Sequence, residues 1–352
     1  MRAELDGDYR RGVESDTLDD LDRRIVHALH LAGRAPFSRI AEVLGVSDQT
    51  VARRYRRLRA NGLARVVASP SAHAFGQDSW LLRLHCTPDA AAGIADALGR
   101  QDNTSWITLV SGGTEIHCVI RTRARNETEA LLLRRLPRTP RILSVSAYKL
   151  LHTFYGGPRS WVGRTRELTD AQVAALAPAV PEGAARGRVR PVPGDEKLFA
   201  ALAEDGRAGF AELAAATGWS DTTVRRRLDE LVTSGAMHFE ADVDNAALGG
   251  AEHARLWMTV APSRLAAVGE AVAGHPETAH AGAMTGNANL VASVVCADAR
   301  ELYTYLTTRI GALDGITSLE TSPVIRVVKR EGALLPPGAV RPGRQESGRQ
   351  PV

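Results

Sequence analysis

The stretch DRRIVHALHLAGRAPFSRIAEVLGVSDQTVARRYRRLRANG occupies residues 22–62, and a diverged copy, DEKLFAALAEDGRAGFAELAAATGWSDTTVRRRLDELVTSG, occupies residues 195–235. The two copies align without a gap at an offset of 173 residues, and equivalent glycines interrupt both, such as Gly45 and Gly218. A register that stays gapless over this length indicates an internal duplication. The repeated unit therefore decides the fold, and we call each copy a reader.

Each reader has the pattern of three short helices. In the first reader Gly45 separates the second helix from the third, because glycine accepts the left-handed backbone of a tight turn. Ser47 is placed to cap the third helix, and Val51 and Leu58 belong to its apolar stripe. A short helix, a glycine turn and a capped helix make up the helix-turn-helix plan of DNA-binding proteins. The strand-like run that follows, residues 63–69, is typical of a wing.

The exposed face of the third helix is strongly basic in the first reader and neutral in the second. Five arginines stand against one acid between Ser47 and Asn61, whereas three arginines and three acids fall between Ser220 and Ser234. Because phosphate contacts supply most nonspecific DNA affinity, we expect the first reader to bind DNA more tightly. Residues near the helix start are expected to meet base edges, and arginines further along to contact phosphates. The residues predicted on these grounds are Asp48, Gln49, Thr50, Arg53, Arg54 and Arg57 in the first reader and Thr222, Thr223, Arg226 and Arg227 in the second.

A second repeated unit follows each reader. Residues 78–155 and 253–329 both read as β-α-β-β-α-β, the ferredoxin-like arrangement. The predicted fold class is therefore α+β, with two winged helix-turn-helix domains alternating with two ferredoxin-like βαββαβ modules. Alternation assigns Leu82, Leu84 and Cys86 to the helix-covered face of the first sheet. The opposite face needs a partner, which predicts that the two modules of one chain pack sheet to sheet.

Composition separates these units. Pro and Gly crowd the segment between the halves, which predicts a linker, and a Thr-Asp cap signal predicts a short helix within it. The tail is expected to be disordered. The predicted boundaries are 17–68 and 194–241 for the two winged helix-turn-helix domains, 78–155 and 253–329 for the two modules, 156–193 for the linker and 330–352 for the tail.

The bulk composition is that of an ordinary soluble protein, with 44% hydrophobic and 24% charged residues. Cys86, Cys118 and Cys296 are too few and too scattered for a disulfide framework, and they fit a reducing cytosol. The N-terminus lacks an apolar signal core and no run is long enough to span a bilayer, so we expect a cytoplasmic protein without membrane contact. No phosphate-loop, dinucleotide or hydrolase motif occurs, so we expect no catalytic residue, cofactor or metal site.

The motifs LDxxDRRIxxxL and FSxIAxxLGVSxxTVxRRxxRLxxNGL, followed by a βαββαβ module, resemble the Lrp/AsnC family of bacterial regulators. The resemblance covers residues 17–155 and again 194–329. It implies a DNA-binding transcriptional regulator that forms dimers or higher oligomers and senses a small molecule such as an amino acid. The DNA-contacting positions that it implies are Ser47, Gln49, Thr50 and Arg54 in the first reader and Ser220, Thr222, Thr223 and Arg227 in the second.

The resemblance also implies an effector site at the family's Gly-x-x-Asp motif before the third strand of the module. The corresponding residues are Gly112, Gly113 and Glu115 in the first module and Gly286, Asn287 and Asn289 in the second. Neither module has the Asp. A second departure is the tandem arrangement, since the usual member has one reader and one module per chain. Two unlike readers in one chain predict an intrachain pseudo-dimer on an asymmetric site of double-stranded DNA, with further homo-oligomerisation expected.

Two other functions remain open at this point. Some tetrapyrrole decarboxylases, the siroheme decarboxylases, resemble the same two-part fold and use a histidine in the module cleft, and His85, His117, His152 and His280 keep that enzyme in view. A small-molecule-binding assembly protein without DNA binding is the third reading. Salt-dependent binding to promoter DNA separates the regulator from both alternatives.

Overall fold

The structure, a computed structural model, describes residues 18–123, 125–157, 166–176 and 188–332. The elements of the first half are α1 (Asp20–Leu31), α2 (Phe37–Leu44), α3 (Asp48–Ala60), β1 (Ala64–Pro70), β2 (Asp78–Cys86), α4 (Ala91–Gly99), β3 (Thr104–Val110), β4 (Glu115–Thr122), α5 (Arg125–Glu129) and β5 (Ile142–Tyr155). After α6 (Asp170–Leu176), the second half contains α7 (Asp195–Glu204), α8 (Phe210–Thr217), α9 (Asp221–Thr233), β6 (Met237–Val243), β7 (Glu252–Val260), α10 (Leu265–Gly274), β8 (Thr278–Met284), β9 (Leu290–Cys296), α11 (Ala299–Thr304) and β10 (Ile316–Lys329). Helices α5 and α11 each continue into a π-helical turn, Ala130–Arg135 and Tyr305–Ile310. This order confirms the predicted α+β class.

The two readers fold for the same local reasons. Ser47 and Ser220 begin α3 and α9, because each hydroxyl accepts a hydrogen bond at 3.2 Å from the backbone amide of Thr50 or Thr223. Gly45 ends α2 with a φ of 70°, in the left-handed region that a side chain would disfavour. The predicted helix-turn-helix is therefore present in both copies.

Strands β1 and β6, which the sequence predicts as wings, pair with each other. They run antiparallel with Val66 opposite Ala241, so each wing strand joins the two readers instead of closing a hairpin within its own reader. The approach is close: the amide of Gly206 donates to the carbonyl of Val66 at 2.8 Å, and a Cβ on Gly206 would lie 2.9 Å from that backbone. The two readers and this ribbon form one head.

The eight strands of the two modules form one closed sheet in the order β10-β3-β4-β2-β5-β8-β9-β7. Strands β5 and β10 are each 14 residues long and serve both modules. Strand β5 leaves β2 to pair with β8 at Leu150 opposite Met284, and β10 leaves β7 to pair with β3 at Val324 opposite Val110. The partnership predicted for the two modules thus occurs within one chain.

The two faces of the closed sheet have different contents. On the outer face Leu82, Leu84 and Cys86 pack beneath α4, as alternation predicts, and Leu256 packs in the equivalent core beneath α10. The inner face encloses a small apolar cluster around Trp257 and a larger number of polar side chains. The interior therefore differs from an ordinary hydrophobic core.

The linker contributes one ordered piece to the first reader. Its predicted short helix is α6, which begins where the Thr169 hydroxyl accepts from the amide of Gln172 at 3.3 Å. Leu168 and Leu176 pack into the hydrophobic core of that reader. The tail predicted to be disordered begins at residue 330, but Arg330 bonds to Asp242 at 3.1 Å and Glu331 accepts from Trp106 at 3.0 Å, so its first residues pack against the fold. Residues 333–352 lie outside the described residues. In the described parts of the chain, no helix combines the length and apolar character that crossing a membrane requires.

Candidate nucleic-acid interface

The start of α3 forms a shallow pocket of about 440 Å³ on the first reader. Its walls include five residues predicted to contact DNA, together with Phe37, Ala52 and Arg56; the five are Ser47, Asp48, Gln49, Thr50 and Arg53. All of them except the half-buried Thr50 are exposed. Ser47 caps the amide of Thr50, and Asp48 accepts from the amide of Gln49 at 2.7 Å. The exposed side chains of Gln49 and Arg53 can offer donors and acceptors to base edges and phosphates.

The start of α9 has a related but weaker arrangement. A pocket of about 410 Å³ lies beside it, with Thr223, Arg226 and Trp219 among its walls. Ser220, Thr222 and Arg226 are exposed, and Thr223 is half-buried. The predicted positions of the second reader therefore also gather at one helix start, with one exception on the arginine side.

Arg54 and Arg57 of α3 are engaged with the first helix of their reader. Arg54 bonds to Asp19 and, at 3.0 Å, to the fully buried Asp22, and Arg57 pairs with the same Asp22 carboxylate. These hydrogen bonds raise the pKa of the Arg54 guanidinium. Arg57 remains half exposed, so it can still approach a phosphate, whereas Arg54 chiefly fastens α1 to α3.

Arg227 is held within the second reader. It occupies the position of Arg54, but its side chain is only 6% exposed and forms a two-pronged pair with Asp195, at 2.9 Å and 2.6 Å. Asp195 is in turn the counterpart of Asp22. A buried, doubly bonded guanidinium can reach DNA only if this pair breaks. The pair fastens α7 to α9, and the DNA contact of Arg227 stays a prediction.

The remaining charges keep the two readers unlike. Arg53 and Arg56 are exposed on α3, and no carboxylate of the described residues pairs with either. On α9 the guanidinium of Arg225 stacks on Phe210, 3.7 Å from the ring centroid, and Arg226 alone is exposed without such a contact. Arg59 pairs with Asp205 of the second reader at 2.6 Å, so Arg53 and Arg56 are the arginines of α3 that face solvent without an acidic partner among the described residues.

Two arginines hold the two readers together, each by bonds to the other reader. The sequence analysis assigned no role to either arginine. Arg34 donates to the carbonyls of Gly206 and Ala208 at 2.7 Å and 2.9 Å, and Arg207 donates to the carbonyls of Gly33 and Ala35 at 2.5 Å and 2.9 Å. Burial lowers the pKa of both guanidinium groups. The sequence sign of this contact was the Gly-Arg pair repeated in the loop after the first helix of each reader. The pairing of the two readers shows that each arginine binds carbonyls of the other reader.

Aromatic rings also contact these two arginines across the readers. Arg207 lies over Phe37 at 4.2 Å from the ring centroid, and Arg34 lies over Phe210 at 5.3 Å. Phe37 and Phe210 are equivalent residues of the two readers, so the contacts obey a pseudo-two-fold relation. The relative placement of α3 and α9 is therefore held by paired strands, four charge-assisted hydrogen bonds and two stacked guanidinium groups.

The residues implied as an effector site lie at two equivalent hairpins, one in each module. Gly112 and Gly113 turn the chain between β3 and β4 with φ values of 78° and 82°, and nothing within 4 Å would meet a Cβ there. Gly286 turns the chain between β8 and β9 against the ring of Tyr148, and Asn287 beside it is exposed.

The last residue of each motif is committed to the fold. Asn289 exchanges two hydrogen bonds of 2.8 Å with the backbone of Val260. Glu115 is buried and accepts from Arg83 at 2.5 Å and from His117 at 2.8 Å. Although burial opposes its charge, the His117 and Arg83 hydrogen bonds bring the pKa of Glu115 down to about 2. Both side chains already have their partners in the described part of the protein.

Comparison with known proteins assigns the chain to a family. Residues 18–59 and 194–232 match the AsnC-type helix-turn-helix domain, and residues 254–334 match the Lrp/AsnC ligand binding domain. An uncharacterised helix-turn-helix transcriptional regulator of Pyrococcus furiosus is 31% identical over 139 residues, which make up 39% of this chain and 93% of that protein. The transcriptional regulator FL11 of Pyrococcus horikoshii is 28% identical over 40% of this chain and 93% of its own length.

One solved structure matches across both halves. The siroheme decarboxylase NirDL superposes with a TM-score of 0.56 at 14% identity, covering 89% of this chain and 93% of the decarboxylase chain. At this identity the likeness concerns the fold alone, and it agrees with the tandem order of readers and modules. The duplicated reader, the module and the regulators that match them lead to one assignment: the chain belongs to the Lrp/AsnC family of transcriptional regulators.

Proposed function

We propose that the chain is a sequence-specific transcriptional regulator whose two unlike readers bind one asymmetric site on double-stranded DNA. The observation that carries the proposal is the capped start of α3, where Ser47, Asp48, Gln49 and Arg53 are exposed together on a compact three-helix unit. Helices of this kind enter the major groove with their N-terminal residues on base edges. Arg53, Arg56 and Arg57 would then contact phosphates.

The asymmetry follows from the head. Its two readers are held together by the β1–β6 ribbon and by Arg34 and Arg207, so they meet DNA as a unit. Helix α3 carries a net charge of +4 and α9 is neutral, and their base-reading residues differ. A protein whose halves differ favours a site whose halves differ, because site symmetry mirrors protein symmetry.

A small-molecule effector, such as an amino acid, completes the proposal. The name of the matched ligand binding domain supports it for the second module. The exposed hairpins around Gly112 and Asn287 remain the candidate contacts, whereas Glu115 and Asn289 are held by the fold. Association of several chains would use exposed apolar side chains such as Leu133, which is 69% exposed.

An enzymatic role is not part of the proposal. The regulators named above match in sequence, whereas the decarboxylase matches in fold. Two histidines considered for such chemistry, His85 and His152, are exposed, while His117 is fully buried and bonded to Glu115. A tetrapyrrole absorbance in the purified protein would favour the enzyme instead.

The test uses a matched pair of variants at equivalent positions, Arg53→Ala and Arg226→Ala. Fluorescence anisotropy with a labelled fragment of the chain's own promoter, at several salt concentrations, measures affinity and its salt slope. We expect Arg53→Ala to weaken binding more than Arg226→Ala and to reduce the slope by about 1, the loss of one phosphate contact. Circular dichroism confirms that both variants are folded. Binding without salt dependence, or the reverse ranking, would overturn the proposal.

A further inference from the structure

The inner face of the closed sheet contains an arginine without an acidic partner. Arg255 lies on β7 directly opposite Ser293 of β9 and Ser322 of β10, and residues in such register point to the same face. Its side chain is 6% exposed, and its Nε donor has no hydrogen-bond acceptor. No carboxylate of the described residues pairs with it. Burial lowers the pKa of Arg255 to about 10, opposed only by the Cys118 thiol.

Arg83, another inward-facing arginine, has acidic partners that compensate its charge. Arg83 on β2 is bonded to Glu115 at 2.5 Å and to Glu320 at 2.6 Å, and its guanidinium covers Trp257 at 4.4 Å from the ring centroid. An isolated guanidinium away from water costs several kcal/mol, which is why buried arginines are ordinarily paired in this way. Arg255 therefore lacks an anion that its surroundings require.

Several other inward-facing polar atoms near this region also lack partners. These atoms, each on a side chain at most 2% exposed, are Ser105 Oγ, Thr108 Oγ1, His117 Nδ1, Trp257 Nε1 and Ser322 Oγ. Buried polar groups in native proteins are almost always hydrogen-bonded to protein, water or ligand. A group of unpartnered donors and acceptors facing one interior indicates that something polar is bound there.

Two histidines lie on the same inner face as the arginine. His280 lies opposite Ser293, and His253 is two residues from Arg255 on the same face of β7. Both rings are half-buried, yet desolvation, with the Arg255 charge next, lowers the pKa of His253 to about 3 and that of His280 to about 4. Each residue keeps some accessible surface, so the protein does not enclose either one completely. Both neutral rings can donate one N–H to an anion.

We propose that Arg255, with His253, His280, Ser293 and Ser322, forms a binding site for a small carboxylate inside the closed sheet. The guanidinium would bind the two carboxylate oxygens side by side, the geometry that suits a planar anion best. The unpartnered hydroxyls and the His117 Nδ1 acceptor would receive the polar groups of the same molecule or the waters that accompany it. The site lies between the modules, and its test uses carboxylates alone and no DNA.

The test is thermal unfolding of the full chain in sodium acetate, in glycine and in sodium phosphate, each against sodium chloride at equal ionic strength. We expect acetate or glycine to raise the wild-type Tm in a saturable manner, by about 2 °C or more near saturation. Arg255→Met should unfold no earlier than the wild type without ligand, because it removes an uncompensated buried charge, and it should lose the carboxylate response. Arg255→Lys, which keeps the charge but not the planar fork, should respond less than the wild type.

Arg226→Met, on the exposed face of α9, is the matched control and should respond as the wild type does. Equal carboxylate responses in the wild type and Arg255→Met, or no response in either, would overturn the site. Stabilisation by phosphate alone would overturn the carboxylate assignment. Arg53→Ala should keep the response, so a failure of this site and a failure of DNA binding remain distinguishable.

Discussion

At the residue scale, equivalent residues of the two repeats have acquired different roles. Arg54 and Arg227 share a position, and both bind an aspartate of the first helix in their reader, Asp22 or Asp195. Sequence reasoning placed both on DNA because they follow the capped helix start. It could not separate them from Arg53 and Arg226, since a one-residue step along a helix decides which arginine faces the partner helix, and the acidic partner lies 32 residues away.

Three desolvated histidines, the fully buried His117 and the half-buried His253 and His280, predict how stability depends on pH. Burial lowers the pKa of His117 and His280 to about 4 and that of His253 to about 3, from an ordinary value of 6.5. Between pH 6.5 and 4 the unfolded chain therefore binds protons that the folded chain does not, and stability that is complete above pH 6.5 falls as the pH falls. We expect the Tm to decrease steadily from pH 7.5 to pH 5, and His280→Gln to reduce this slope.

The depressed pKa of Glu115 acts in the same direction at lower pH, because that carboxylate stabilises the fold only while it is ionised. Thermal melts in buffers of matched ionic strength measure the effect. Exposed His85 provides the control: His85→Gln should leave the slope of Tm against pH unchanged. A Tm that stays constant from pH 7.5 to pH 5 would contradict the burial of these histidines.

At the element scale, two strands have partners that local sequence does not encode. The runs that became β1 and β6 were predicted as wings, and both strands exist, but each uses the other as its partner. Strand period and turn residues identify a strand, whereas the partner depends on which reader stands beside it. The same reasoning applies to β5 and β10, whose second halves leave their own modules. Their length of 14 residues was the one local sign of that exchange.

The reciprocal clamp predicts the cost of loosening the head. Arg207→Met keeps most of the side-chain volume but leaves the carbonyls of Gly33 and Ala35 without their donors. We expect a loss of roughly 2 kcal/mol in the free energy of unfolding, because two charge-assisted bonds disappear while a buried charge is also relieved. Arg226→Met, exposed on the same helical reader, should change stability by less than about 0.5 kcal/mol.

Urea denaturation measures the free energy of unfolding of both variants. DNA binding tests the loosening of the head independently. A looser head should weaken binding to a fragment that engages both readers. If Arg207→Met and Arg226→Met had equal free energies of unfolding, the bonds that Arg207 makes to the other reader would not stabilise the head.

At the scale of the whole molecule, one chain builds what a symmetric pair of chains would otherwise supply. The head is closed by β1 with β6, and the modules are closed by β5 with β8 and β10 with β3. The duplication predicted that the two modules would meet, since each needed a partner for its bare face, but it did not predict which strands would pair. The polar interior was not predictable, because Arg255 and its surrounding histidines come from strands that are distant in sequence and look like ordinary alternating positions.

The most direct test of the proposal is the base sequence of the DNA that the protein selects. Genomic fragments retained by the wild type would be sequenced and then footprinted with the wild type, Arg53→Ala and Arg226→Ala. We expect two unlike half-sites, with Arg53→Ala losing protection over one half and Arg226→Ala affecting the other more weakly. A strict palindrome whose halves respond equally to both variants would contradict the account of one chain reading an asymmetric site.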